Sequence, residues 1–71
     1  MKKGRWHTFV LETDPKRTCQ IRYDNDIDVY VTYCPVLDLY SHGITEQKAI
    51  RALEIEIDLT YKEFEAHNRI F

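Results

Sequence analysis

The stretch Leu53-Glu54-Ile55-Glu56-Ile57-Asp58-Leu59-Thr60-Tyr61 decides the fold, because it satisfies two periods at once. Apolar residues alternate with polar ones from 53 to 61, the pattern of a strand with one buried face. Ile50, Leu53, Ile57, Tyr61 and Phe64 also recur at spacings of three and four, the stripe of a helix lying on a core. Neither Gly nor Pro occurs from Thr45 to His67, a run too long for several separate strands without a turn residue. The helix reading is therefore adopted. It leaves Ala52, Ile55 and Leu59 off the main stripe, as a second apolar strip that a small domain must cover somewhere. These three are the candidate self-association residues, with a dimer or higher homo-oligomer as the expected state.

Immediately before this helix, Thr45 offers an oxygen to cap its first turn, Glu46 complements the positive end of its dipole, and Ile44 is placed to staple against Ala49. Gly43 marks a turn where a positive φ is expected. Upstream, Trp6 to Leu11 is mostly aromatic or β-branched and ends at Glu12-Thr13-Asp14-Pro15-Lys16, where Asp-Pro sets a turn. Cys19, Ile21 and Tyr23 alternate with Gln20 and Arg22 up to a tight turn at Asp24-Asn25-Asp26. Ile27, Val29, Val31 and Tyr33 then alternate with Asp28, Tyr30 and Thr32, so the two segments form a hairpin. Pro35 ends that strand, and Leu37 to His42 reads as a short fourth one. The expected fold is α+β, in the order β-β-β-β-α: an antiparallel sheet of three to four strands packed against one long C-terminal helix. For Arg69-Ile70-Phe71 three readings stay open: fraying, a short strand, or contact with a second copy.

At 71 residues the chain holds one domain, spanning 1–71, with residues 1–5 as a flexible basic start carrying Lys2, Lys3 and Arg5. That start precedes no long apolar run, so neither a secretory signal nor a membrane anchor is expected, and the location expected is cytoplasmic. A domain this small often gains stability from disulfides, metal or self-association. Cys19 and Cys34 both lie in strand stretches and are expected as free thiols rather than as a staple. His7, His42 and His67 are far apart, so no metal and no cofactor is expected. Self-association is the device that remains.

Catalysis needs converging groups, and the chain has no Ser nucleophile motif, no metal-ligand cluster and only two glycines for a phosphate loop. The nearest constellation is Ser41 and His42 with Cys34 upstream, where packing of Cys34 at a strand end outweighs a nucleophile. An enzyme is not expected. Tyr23, Tyr30, Tyr33 and Tyr40 suit either a stacking platform for bases or a core and protein interface. A net charge of -2, with Asp24, Asp26 and Asp28 clustered, disfavours phosphate, so nucleic acid is not the expected partner.

From Asp28 to Lys62 the sequence resembles the HicB-like antitoxin family, partners of HicA toxins in bacterial toxin-antitoxin pairs. The words that carry the resemblance are Val29-Tyr30-Val31, Cys34-Pro35-Val36-Leu37, Ser41-His42-Gly43-Ile44-Thr45, and the helix Glu46 to Tyr61 with Ala49, Ile50, Leu53, Ile57 and Leu59. With Thr18 to Tyr23 it covers about two thirds of the chain. It departs from the family at Asp38-Leu39, where a Pro-Gly turn is usual, and in the extra strand Trp6 to Leu11. The resemblance implies a partial ribonuclease-H-like layer whose task is to mask a small toxin ribonuclease. It also implies that DNA binding, which in the family belongs to a further C-terminal module, is not expected of this chain. Asp24, Asp26 and Asp28 are then the candidate partner-binding residues, meeting the basic surface of a HicA-like ribonuclease with complementary charge. Two alternatives stand beside this: a self-associating structural or adaptor domain, and an RNA-binding domain using the tyrosines and the basic start.

Overall fold

The structure, a computed structural model, describes residues 4–12 and 16–70, with side chains through residue 65. The turn expected at 13–15, most of the basic start, the His67 side chain and Phe71 lie outside the described residues. Four strands, β1 (His7–Leu11), β2 (Arg17–Asp24), β3 (Val29–Cys34) and β4 (Leu39–Gly43), precede one helix, α1 (Glu46–Ile70). The strands form an antiparallel meander in the order β1-β2-β3-β4. The fold is thus α+β as expected, and residues 53 to 61 are helical.

Residues directly opposite one another in an antiparallel pair share a face, so the register divides the sheet. Phe9 pairs with Cys19, Ile21 with Thr32, and Thr32 with Ser41; the helix covers this inner face. Leu11, Cys19, Cys34, Leu53 and Ile57 form the core, with Phe9, Leu37, Leu39 and Ile50 packed around it. Thr8 and Val10, Gln20 and Arg22, Val29, Val31 and Tyr33, and Tyr40 and His42 fall on the outer face, over which no strand or helix passes among the described residues.

The helix begins as expected. Thr45 Oγ1 accepts the Lys48 N–H at 3.1 Å, and the Thr45 carbonyl accepts the Ala49 N–H at 3.0 Å. Ile44 stays 66% exposed, so it contributes little as a staple. Gly43 does not take a positive φ. Its role is close approach: a Cβ there would lie 2.5 Å from the Ala49 nitrogen and 2.7 Å from the Lys48 carbonyl carbon, so the first helical turn sits directly on β4. Thr32, fully buried, ties the same seam by donating its hydroxyl to the Ala49 carbonyl at 3.1 Å.

The positive φ angles belong instead to Asp28 and Asp38, both at 53°, each the last residue of a four-residue turn. Ile27 lies in the first of these turns rather than in β3, because the hairpin needs four residues to reverse and not three. The helical stripe also overruns the sheet. It is buried through Ile57; Tyr61 then meets Arg17, whose guanidinium lies 4.9 Å from its ring centroid and also donates to its hydroxyl, and Phe64 is 63% exposed. The alternating apolar residues Ile55 and Leu59 lie off this stripe, which is why alternation misleads at 53 to 61.

Candidate interaction surfaces

Three surfaces draw together the residues singled out by sequence. The first is the aspartate turn. Asp24 is buried: its Oδ1 accepts the Asp26 N–H at 3.0 Å and its Oδ2 lies 3.5 Å from Arg22 Nη1. It builds the turn rather than meeting a partner. Asp26 and Asp28 are exposed beyond it. Asp28 Oδ1 accepts the Tyr23 hydroxyl at 2.8 Å, and this bond to a carboxylate raises the Tyr23 phenol above its ordinary value.

The next turn repeats the device. Tyr33 donates to Asp38 Oδ1 at 3.1 Å, again across five residues, and its phenol is raised for the same reason. Sequence reasoning missed this recurrence, though the spacing Tyr-x-x-x-x-Asp occurs at both 23–28 and 33–38.

The second surface is the outer sheet face. The four strand tyrosines do not share one platform: Tyr23 and Tyr30 meet edge to face at 5.1 Å on the inner side, whereas Tyr33 and Tyr40 stack at 4.3 Å on the outer side. Trp6 extends the outer pair, 6.2 Å from Tyr33, with the Arg22 guanidinium 5.0 Å from its ring centroid. Tyr33 is the half-buried member of this group, while Trp6 stays 40% exposed. Beside them a recess of about 220 Å³ is lined by Ile27, Val31, Tyr40, Ser41 and His42. Ile27 and Tyr40 are 64% and 60% exposed.

The third surface is the outward side of α1. Ala52, Ile55 and Leu59 do fall on one side of the helix; Ile55 and Leu59 are 47% and 48% exposed, and Ala52 is less so. Around them the helix is acidic. From 46 to 65, Glu46, Glu54, Glu56, Asp58, Glu63 and Glu65 stand against Lys48, Arg51 and Lys62, a formal balance of -3, and Lys62 is paired to Asp58 at 3.1 Å.

Cys19 and Cys34 are free and buried, as expected. Extending the register by one pair beyond Gln20 and Tyr33 sets them opposite each other. Burial, then the Cys34 thiol beside it, pushes the Cys19 thiol up to about 11, far from a nucleophile at neutral pH. Cys34, Ser41 and His42 do not converge: the first two belong to the inner face and His42 to the outer. No group of three or more His, Cys, Asp or Glu able to hold a metal occurs among the described residues, and no described helix is long and apolar enough to cross a membrane. Comparisons with protein-family models, with curated proteins and with solved structures give no match.

Proposed function

We propose that the chain is a non-catalytic, cytoplasmic protein-binding module of the HicB-like kind, built to associate with itself and to cover a small, basic toxin ribonuclease. The observation that carries this is the outward half of α1. The described helix carries six carboxylates against three cations and bears a half-exposed apolar strip, the chemistry a basic protein with an apolar patch would meet. Ala52, Ile55 and Leu59 serve self-association in this reading, with Asp26 and Asp28 as a separate acidic patch at the hairpin tip for the basic partner. The kinship itself rests on the Cys-Pro-x-Leu and Gly-Ile-Thr words and on the long helix that follows them.

Coexpression with the small reading frame beside its gene tests the proposal. The expected result is relief of growth arrest and capture of the neighbour's product, weakened by salt and lost when Glu54, Glu56 and Asp58 are changed to Lys. No capture and no relief would remove the toxin reading. The RNA-binding alternative has less support, since the strand tyrosines are divided between the two faces of the sheet and the net charge is -2; absence of binding to labelled RNA at low salt would close it.

A further inference from the structure

We propose that Cys19 and Cys34 are an oxidative modification site, joined by a hydroperoxide into a reversible disulfide that staples β2 to β3 inside the folded chain. This goes beyond the binding role above and does not rest on it.

Placement carries the proposal. The two cysteines lie opposite each other, one pair beyond Gln20 and Tyr33 in the register of β2 with β3. Directly opposed residues of an antiparallel pair have Cα atoms about 4.5 or 5.5 Å apart, and a disulfide spans about 4.4–6.8 Å. Their Cβ atoms, about 4.5–5.5 Å apart in such a pair, need close by only about 1 Å to reach bonding range. The side chains are already hydrogen-bonded to each other. The chain has no third cysteine, so a single intramolecular bridge is the one available. A buried cysteine is by itself a small apolar residue, which accounts for each thiol singly and leaves their juxtaposition unexplained.

The core suits the change. Both thiols are fully buried among Leu11, Leu53 and Ile57. A sulfur–sulfur bond of about 2.05 Å is shorter than any contact between separate thiols, so the bridge takes less room than the pair it replaces and does not press on the helix. Burial also selects the oxidant, because a small peroxide needs less of an opening than a bulky disulfide reagent.

Cys34, the last residue of β3 and next to the turn at 35–38, reacts first. Its thiolate sulfur attacks one peroxide oxygen; the O–O bond breaks, and the departing hydroxide takes up the released proton as water, leaving a sulfenic acid. Cys19 then attacks that sulfur, the S–O bond breaks, and the Cys19 proton leaves with the hydroxide as a second water. Two thiols have lost two electrons and one hydrogen peroxide has gained them. The raised Cys19 thiol makes the second step slower than at an exposed resolving cysteine. An external thiol reverses the bond by exchange.

The test is incubation of the reduced, folded full chain with hydrogen peroxide, then alkylation in denaturant, intact mass and peptide mapping. The expected product is a single covalent chain in which a Cys19 peptide is linked to a Cys34 peptide, with two fewer hydrogens and no alkylated cysteine, and dithiothreitol restores both thiols. Its helical far-ultraviolet signal should be unchanged, and its melting temperature should exceed that of the reduced chain by roughly 10 °C, because the closed loop restricts the unfolded state. Cys19→Ala should stop at the Cys34 sulfenic acid, trapped by dimedone; if that variant does not fold, the wild-type map still decides. Thiols that remain alkylatable, pass on to sulfinic acid or join only between chains would overturn the proposal. So would a bridge that forms only in urea, or an oxidised chain that does not melt above the reduced one.

Discussion

Asp28 and Asp38 close successive hairpins in the same way, each in the left-handed region and each receiving a tyrosine hydroxyl from the strand before it. Aspartate tolerates that conformation better than most residues because its short side chain bonds locally, and a β-branched side chain resists it. Asp38→Val should therefore cost about 1–2 kcal/mol, whereas Asp38→Gly, which loses the exposed hydroxyl bond but relieves the backbone, should stay within about 0.5 kcal/mol of wild type. Urea unfolding separates the two. Cys19 gives a pH dependence of known sign. Its thiol rises from 9.0 to about 11 in the folded state, so the protonated form is favoured by folding. The stabilisation is complete below pH 9 and is lost as pH climbs toward 11, since the unfolded chain releases its proton first. Melting temperatures should fall across that window, and Cys19→Ala should flatten the fall. A slope unchanged by Cys19→Ala would mean the thiol is not its source.

At the scale of elements, the junction of β4 with α1 sets how closely helix and sheet approach. Gly43 leaves room for the Lys48–Ala49 backbone, Ala49 is small, and Thr32 bridges the two layers. Gly43→Ala should cost about 2–3 kcal/mol by overpacking, although alanine is ordinarily the better residue outside turns. A denaturation midpoint unchanged by it would show that the helix can shift outward without penalty. This part of the fold was only half legible in the sequence. The Gly-Ile-Thr run fixed where the helix starts and Thr45 caps it as read, but composition cannot distinguish a glycine needed for its φ from one needed for its lack of a Cβ. Strand existence and order were legible from alternation and from Pro35. Ile27 was not, because alternation continues through it while the turn holds it exposed at the hairpin tip. The helical stripe was read through Phe64, but its spacing carries no information about where the sheet beneath it ends.

As a whole molecule the chain is elongated, 49 × 21 × 17 Å, with a radius of gyration of 13.6 Å, against roughly 11 Å for a compact chain of this length. The cause is a mismatch of lengths. A helix of 25 residues extends about 37 Å, and strands of five to eight residues extend about 17–27 Å, so the helix continues past the sheet that buries it. Leu53 is the one large aliphatic side chain that is fully buried among the described residues. Such a thin core leaves a monomer near the lower end of the roughly 4–11 kcal/mol expected at this length. Folding should then be linked to association, because any contact made by the native state and not by the unfolded chain adds to stability by mass action. The melting temperature of the wild type should rise with protein concentration, and that of Ile55→Glu, which places a charge in the strip proposed for self-association, should be lower and independent of concentration. If instead the wild-type melting temperature were flat with concentration, the core of Leu11, Cys19, Cys34, Leu53 and Ile57 would have to sustain the fold unaided, and the self-association proposed for this chain would fall.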